Sequence, residues 1–245
     1  MTRESPGQRS ETVRRSNLSA IARQLHDRGP QSRSELVART GLTRSTIRSL
    51  IGEFVTADLV AEERPALAGL PGRPSPLVVP LARSAMVLAF DIRVDSLAAA
   101  VVGLGGEVLG HCRMDRPRDR IKVDDLLDDI RTLTRQLPLV ETARHAFIGI
   151  GVSVAGLVRR ADGSVSTAPN LGWRDVQLAK LVGESLGLNL PVHVGNDADL
   201  GALAEIRRGA ARGADDMVFV SGEVGVGGGF IVDGKPLTGV AGFAG

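Results

Sequence analysis

The sequence predicts an N-terminal winged helix-turn-helix domain followed by an α/β domain. Three observations predict this. Residues 32–58 have the pattern of two short amphipathic helices joined by a tight turn. A Pro- and Gly-rich segment then separates two short β-like runs, and from about Leu81 buried β-like runs alternate with amphipathic helices. A chain of 245 residues is long enough for more than one domain.

The first 28 residues are expected to form a flexible basic arm and one helix. Residues 1–16 are polar and arginine-rich, which is typical of a loosely held arm. Asn17 can cap a helix that runs to about Arg28, and Gly29-Pro30 ends it. One face of that helix is apolar, with Leu18, Ile21, Ala22 and Leu25.

The next two helices have clear start and stop signals. Ser32 and Glu35 form a capping box, Gly41 supplies the positive φ of a C-cap, and Thr43 caps the following helix. The apolar face of that helix is formed by Ile47, Leu50, Ile51 and Phe54. Its opposite face is polar, with Arg44, Ser45, Thr46, Arg48 and Ser49. Such side chains contact base edges and phosphates in helix-turn-helix proteins, although a pair of ordinary amphipathic helices with a solvated face would give the same pattern.

Two short runs at residues 59–62 and 77–79 favour a pair of strands. The Pro- and Gly-rich segment between them would be the wing, in which Arg73 could lie along a phosphate backbone or in a minor groove. A plain interdomain linker is the alternative for this segment. With the three helices, the two strands favour a winged helix over residues 17–80.

Charge and composition limit the class of protein. The first 50 residues hold ten arginines against four acidic residues, a net charge of +6, whereas the whole chain carries +2. A basic N-terminal segment followed by a mildly acidic remainder is typical of a protein with one nucleic-acid-binding domain. No apolar run approaches the roughly 18 residues of a membrane span, and the N-terminus lacks the apolar region of a signal peptide. With the single cysteine Cys112 there is no internal disulfide and no metal-binding cluster, so the cytoplasm is the simplest compartment.

Residues 81–245 are expected to form the α/β domain. Strands are predicted at residues 86–91, 96–102, 105–109, 146–152, 192–194, 217–221 and 229–232. Helices are predicted at residues 123–137, 176–186 and 198–209. Asn196-Asp197 follows a strand and opens a helix, which places both side chains at the sheet edge where ligands of open α/β folds bind.

Several features of this domain have two interpretations. Asp197 could bind a ligand or cap its helix, and Asn170 could bind sugar hydroxyls or stabilise its own turn. The glycine run 225–229 could hold a phosphate or form a tight hairpin. Trp173 could form a pocket wall or pack a loop. Asp233-Gly234 favours a two-residue hairpin turn, and His193 favours a core histidine over a catalytic one.

Three motifs in order give a family resemblance. They are PNLGW at residues 169–173, NDAD at 196–199, and VGVGGGFIVDGKPLTGVAGFAG at 224–245. They resemble the ROK family of repressors, open reading frames and sugar kinases, which has an actin-like sugar-kinase fold. The resemblance implies that Asp197 matches the base that deprotonates a sugar hydroxyl. It also implies that Asn196 holds another hydroxyl and that Gly156 belongs to the sugar-side loop. Members with an N-terminal winged helix resemble sugar-responsive regulators of the xylose-repressor type.

Two departures from the family pattern matter. Kinases of the family carry D-x-G-G-T after the first strand, whereas this chain has Asp91-Ile92-Arg93-Val94-Asp95. Without the glycines, and with Val94 and Asp95 near the phosphate position, we expect no ATP binding and no enzyme activity; Asp197 would be catalytic only if kinase activity survived. The family also continues past Gly245 into a Glu-x-Gly-His segment and a zinc site. The α/β domain is therefore expected to be C-terminally truncated, with no cofactor or metal site in this sequence.

Together these features predict a sugar-responsive DNA-binding transcriptional regulator, a repressor of carbohydrate genes, in which the kinase-like α/β domain senses the effector. The expected partners are a double-stranded DNA operator, a sugar or sugar-derivative effector, and a second copy in a homodimer or higher homo-oligomer, with no membrane. The predicted DNA-binding residues are Arg33, Thr43, Arg44, Ser45, Thr46, Arg48, Ser49 and Arg73. The predicted sugar-binding residues are Gly156, Asn170, Asn196 and Asp197. The alternatives are an ATP-dependent sugar kinase with an accessory N-terminal domain, and a winged helix that acts only through partner contacts.

Overall fold

The computed structural model describes residues 6–63, 76–117, 121–222, 224–237 and 239. They divide into two compact units. The first contains residues up to Ala85 together with Gly103–Glu107, and the second contains Met86–Val102 and the chain from Val108 onward. Among the described residues, no helix is both long enough and apolar enough to cross a membrane.

The first unit consists of three helices and a small antiparallel sheet. Its elements are α1 (Pro6–Arg28), β1 (Gln31–Ser32), α2 (Arg33–Thr40), α3 (Arg44–Thr56), β2 (Val60–Glu63) and β3 (Leu77–Pro80). The sheet has the order β1-β3-β2. Apolar side chains from all three helices and from β2 and β3 form one core: Ile21, Leu25, Leu36, Ile47, Leu50, Ile51, Phe54, Val60 and Val78.

Helix α1 begins at Pro6, so the expected arm is wrong for residues 6–16, which are helical. Proline is favoured in the first turn because its φ is already helical and its missing N–H has no helical partner there. Arg14 Nη1 lies 3.7 Å from Glu11 Oε2, an i,i+3 ion pair on the exposed surface of this helix. The prediction depended on apolar periodicity, which this half of the helix lacks.

The predicted caps of α2 and α3 are confirmed. The Ser32 side chain accepts a hydrogen bond from the Glu35 backbone N–H, and the Glu35 carboxylate accepts one from the Ser32 N–H at 2.7 Å. The Ser32 backbone and side-chain donors lower the pKa of the Glu35 carboxyl. Gly41 has φ 70° and donates to Val37 O, and the Thr43 hydroxyl accepts from the Thr46 N–H.

The two predicted strands of the first unit are present and pair antiparallel, with Val60 opposite Pro80 and Glu63 opposite Leu77. Residues 64–75 between them, including Arg73, lie outside the described residues. The short strand β1 was not predicted; its Gln31 lies opposite Val78. Two residues are too few to show a period of two in the sequence.

The second unit is built on a five-stranded sheet in the order β11-β7-β4-β5-β6. Its strands are β4 (Met86–Ile92), β5 (Ser96–Gly103), β6 (Val108–Asp115), β7 (Phe147–Val154) and β11 (Val192–Asn196). β4, β7 and β11 are parallel, whereas β5 and β6 are antiparallel. Helices α4 (Val123–Gln136) and α5 (Leu178–Leu186) contribute Leu126, Ile130, Leu178 and Val182 to the core. These elements confirm the predicted strands and helices to within two residues, with one exception. The strand expected at residues 105–109 runs from Val108 to Asp115, because residues 104–107 form the turn before it.

Two smaller antiparallel sheets complete the second unit. One contains β8 (Leu157–Arg159), β9 (Ser164–Ala168) and β10 (Trp173–Val176), which were not predicted because they are short and contain few apolar residues. The other contains β12 (Met217–Gly222), β13 (Val226–Val232) and β14 (Lys235–Pro236), beside helix α6 (Asp197–Arg208). The predicted turn at Asp233-Gly234 is confirmed, since both residues have positive φ between β13 and β14.

Candidate functional site

The N-terminal half of α3 presents a polar surface in the first unit. Arg44, Ser45, Arg48 and Ser49 are exposed, whereas Ile47, Leu50, Ile51 and Phe54 are buried on the opposite face. The Thr43 hydroxyl lies 2.9 Å from both the Ser45 and the Thr46 hydroxyl. This surface combines two guanidinium groups with short hydroxyl side chains, a set that can donate to phosphates and to base edges.

Arg33, which the sequence placed with the DNA-binding residues, is held by an acidic partner. Its Nε donates to Glu62 Oε1 and its Nη2 donates to Glu62 Oε2, each at 2.7 Å. Arg33 therefore lies in a two-point ion pair across the small sheet and not with the exposed arginines of α3.

A cavity of about 160 Å³ lies within the second unit, and all four predicted sugar-binding residues line it. Its lining is Arg93, Val94, Ala155, Gly156, Asn170, Asn196, Asp197, Ser221, Val224, Gly225, Val226 and Gly227. An engineered protein cavity of about 150 Å³ admits benzene, so this volume suits one six-membered ring.

Asn196 is the N-cap of α6, and its amide is engaged with the protein. Its Oδ1 accepts from the N–H groups of Ala198 and Asp199 at 2.9 and 3.1 Å, and its Nδ2 donates to Gly156 O at 3.0 Å. Both acceptor sites of the amide oxygen are thus occupied. Asn196 holds the loop at Gly156 against the start of α6, and one amide N–H remains for a ligand.

Asp197 is the first residue of α6, and the cap of that helix is Asn196 and not Asp197. Asp197 Oδ1 accepts from the Ala198 N–H at 2.9 Å, and the carboxylate lies at the cavity wall. Nearby, burial raises the pKa of the Asp199 carboxyl; the charge of Asp197 adds to this effect and that of Arg160 opposes it.

The turn between β4 and β5 brings a cation to the cavity. Arg93 and Val94 line it, and Arg93 Nε lies 2.7 Å from Asp91 Oδ2. Asp95, expected near the phosphate position, does not line the cavity; its carboxylate lies 3.4 Å from the Ser96 hydroxyl. The charged group that this turn supplies to the cavity is therefore Arg93, and its ion pair with Asp91 balances its charge.

The glycine run serves close packing more than a turn. β13 begins at Val226, so Gly227 and Gly229 lie inside a strand beside α6. A Cβ on Gly229 would lie 2.5 Å from Ala198 O and 2.7 Å from the Ala202 Cβ. Gly225, in the turn before β13, lies at the cavity, where its Cβ would be 3.4 Å from Asn170 Nδ2. The interpretation as a tight hairpin thus holds for the turn only.

Two aromatic side chains lie away from the cavity. Trp173 is buried and donates from Nε1 to Ile121 O at 2.7 Å, so it packs a loop and does not line the cavity beside Asn196 and Asp197. His193 is exposed, so the expected core histidine was wrong; it lies on β11, which is an edge strand of the five-stranded sheet. Among the residues with described positions, no group of three or more His, Cys, Asp or Glu could hold a metal ion.

Sequence reasoning missed Ser221 and Ala155 as cavity residues. Ser221 lies at the end of β12, opposite Gly227 of β13, and Ala155 follows β7. The strand ends were predicted, and the position of Ala155 after a parallel strand was a usable signal. Ser221 gave no such signal, because its sheet is separate from the five-stranded one.

The ROK family model matches residues 87–245 of this chain, which is more than half of its length. The chain belongs to the ROK family. A xylose repressor of Bacillus subtilis strain 168 is 30% identical over 237 residues, which cover 95% of this chain and 59% of that repressor. The chain thus spans less than two thirds of the length of this ROK relative.

Two solved ROK structures are similar to the chain. A ROK family transcriptional regulator, a homologue of the E. coli MLC protein, has 27% identity and a TM-score of 0.70, covering 95% of this chain and 58% of that one. A ROK family glucokinase from Streptomyces griseus in complex with glucose and AMPPNP has 31% identity and a TM-score of 0.55. It covers 65% of this chain and 48% of the glucokinase.

Proposed function

We propose that the chain is a sugar-responsive DNA-binding transcriptional regulator, a repressor of carbohydrate genes. Residues 17–80 would form the winged helix-turn-helix domain, with α2 and α3 as its helix pair and β2 and β3 as the base of the wing. Residues 81–245 would form the sugar-sensing domain. The DNA contacts would come from Thr43, Arg44, Ser45, Thr46, Arg48, Ser49 and Arg73.

One observation carries this proposal: the similarity to repressors covers more of the chain than the similarity to glucokinases, and at 95% coverage it includes most of the N-terminal unit. The xylose repressor and the ROK transcriptional regulator each match 95% of the chain, and the Streptomyces griseus glucokinase matches 65%. The exposed polar half of α3 supplies the matching chemistry, because its arginine and hydroxyl side chains suit a major groove.

The effector would be a sugar or sugar derivative in the cavity of the second unit. Asp197 would accept hydrogen bonds from hydroxyl groups, and Asn170 would bind a further hydroxyl. Asn196 would act mainly by holding Gly156 and the start of α6 in place. The Arg93–Asp91 pair and Val94 would occupy the position at which the family's kinases bind ATP phosphates, which supports a sensor and not an enzyme.

The DNA-binding surface can be tested with a duplex that the full-length chain selects from a random library. Arg44→Ala and Arg48→Ala are each expected to weaken binding about tenfold or more, because a phosphate or base contact contributes about 1–3 kcal/mol. Fluorescence anisotropy measures the Kd. Arg113→Ala, an equal charge change at an exposed position on β6, is the matched control and should leave the Kd within about twofold.

Unchanged binding in the Arg44→Ala, Arg48→Ala double variant would contradict the assignment of α3. We also propose that the regulator is a homodimer or higher homo-oligomer, which would place two copies of α3 on a palindromic site. Light scattering of the full-length chain with and without the selected duplex measures the stoichiometry, and one chain per duplex would contradict a dimer.

The second candidate function is a sugar kinase, which the glucokinase relatives favour. A glucokinase of Halalkalibacterium halodurans is 38% identical over 113 residues, or 46% of this chain. The discriminating experiment measures ADP release by the full-length chain with ATP and a panel of hexoses. Sugar-dependent ADP release that is lost in Asp197→Asn would show that the chain is a sugar kinase with Asp197 as the general base.

A further inference from the structure

Arg33 and Glu62 form a two-point ion pair in the first unit. Two parallel hydrogen bonds of 2.7 Å join the guanidinium to the carboxylate. The two side chains are 31% and 29% exposed. Since the planar fork of a guanidinium matches the two carboxylate oxygens, such a pair fixes orientation as well as distance.

The pair connects two elements that the small sheet itself joins only weakly. Arg33 is the first residue of α2 and follows β1, whereas Glu62 lies on β2, with β3 between them in the sheet. Only two residue pairs join β1 to β3, Gln31 with Val78 and Ser32 with Leu77. The side chains of Arg33 and Glu62 thus reach across β3 and tie β2 directly to the start of α2.

The pairing changes what Arg33 can do. Its Nε and one terminal nitrogen face a carboxylate, so its charge is balanced and it is a poor ligand for a phosphate. Resting on the proposed DNA-binding function, we infer that Arg33 and Glu62 are positioning residues. The pair sets strands β2 and β3 relative to helices α2 and α3, and DNA is contacted by other side chains of this unit.

The two possible roles of Arg33 can be distinguished, because they predict opposite changes in DNA affinity for the variant Glu62→Gln. If the pair positions the strands, Glu62→Gln weakens DNA binding by about two- to fivefold, in line with the strength of a partly exposed ion pair. If Arg33 contacts phosphate directly, Glu62→Gln removes a negative charge and releases the guanidinium, so binding becomes tighter. Fluorescence anisotropy with the selected duplex measures both Kd values.

Salt dependence and charge reversal separate the roles further. Arg33→Gln should weaken binding by a similar factor and leave the slope of log Kd against log salt unchanged, whereas loss of a phosphate contact lowers that slope by about 0.9. The double variant Arg33→Glu, Glu62→Arg should recover most of the affinity that Arg33→Glu alone loses. The single variant Glu62→Arg separates the two roles. A direct contact predicts tighter DNA binding because a positive charge is added beside Arg33, whereas a positioning pair predicts weaker binding because two guanidinium groups repel each other.

Arg39→Gln is the matched control, since it removes the same charge at an exposed position on the same helix. An equal loss of affinity in Arg39→Gln would show that any lost positive charge on this helix weakens DNA binding, and it would overturn the inference. Circular dichroism checks that each variant is folded. If the full-length chain enriches no duplex, the proposed function fails; if it binds DNA and Glu62→Gln binds as tightly or more tightly, this inference alone fails.

Discussion

At the scale of single residues, Asn196 and Asp197 are neighbours with different roles. Asn196 makes three hydrogen bonds that join the first turn of α6 to the carbonyl of Gly156. Asp197 makes one local hydrogen bond, and its carboxylate lies at the cavity. The amide is therefore part of the frame, and the carboxylate is the better candidate for direct contact with a sugar.

Substitutions at these two positions should separate stability from binding. Asn196→Ala is expected to lower the free energy of unfolding by about 1–2 kcal/mol, because a helix cap and its tie to Gly156 are lost. Asp197→Asn should lower it by less than about 1 kcal/mol, since it removes only a favourable charge near the helix N-terminus. Denaturant unfolding with tryptophan fluorescence measures both values.

The same variants report on the cavity. In a thermal-shift screen of the full-length chain with xylose and glucose, Asp197→Asn should lose a sugar-induced rise in Tm that the unmodified chain shows. A retained rise in Asp197→Asn would exclude a direct role for the carboxylate. An Asn196→Ala variant as stable as the unmodified chain would exclude the framing role of the amide.

At the scale of elements, β13 and α6 approach closely because β13 carries glycines. Gly227 and Gly229 face Ala198 and Ala202, so small residues stand on both sides of the contact. The two elements also bring the cavity residues together, since Asp197 begins α6 and Gly227 lies on β13. Close packing of this strand and helix therefore sets the width of the cavity.

Gly229→Ala should be destabilising by about 1–3 kcal/mol, because the new methyl group would meet a backbone carbonyl and the helix must shift. Gly222→Ala on β12 is the matched control, since its Cβ would meet nothing within 4 Å, and it should change stability by about 0.5 kcal/mol or less. Denaturant unfolding compares the two variants. Equal stability of both would show that the strand and the helix can separate without cost.

At the scale of the whole molecule, a basic N-terminal unit and the cavity that we propose binds a sugar belong to one chain. If sugar and DNA binding are coupled, the coupling must be reciprocal, because it is a single free-energy difference between two binding events. If a sugar changes the Kd for the selected duplex by a certain factor, then DNA must change the Kd for that sugar by the same factor. For typical couplings this factor is about 5 to 150.

Two titrations of the full-length chain measure this coupling: DNA at saturating sugar, and sugar at saturating DNA. The direction distinguishes induction, in which sugar weakens DNA binding, from co-repression, in which it strengthens it. Sugar binding that leaves the Kd for DNA unchanged would contradict a sensor. The Asp197→Asn variant is the control, since it should retain DNA binding and lose the response.

Much of both units was predictable, because local chemistry determines it. The capping box at Ser32, the turn at Gly41 and the buried face of α3 depend on near neighbours in the chain. The buried strands β4 and β7 are likewise continuous apolar runs. Because these features follow from periodicity, caps and turn residues, a single sequence determines them.

What only the tertiary structure decided depends on contacts between distant residues. The ion-pair partner of Arg33 is 29 positions away, and the amide of Asn196 donates to the carbonyl of a residue 40 positions earlier. The role of Gly229 depends on a helix that comes before it in the chain, at Ala198 and Ala202. The sequence by itself determined most of the longer elements and the family motifs. Folding decided which side chains remain available to a ligand, because a group that is used in an ion pair or hydrogen bond within the protein is no longer free to bind one.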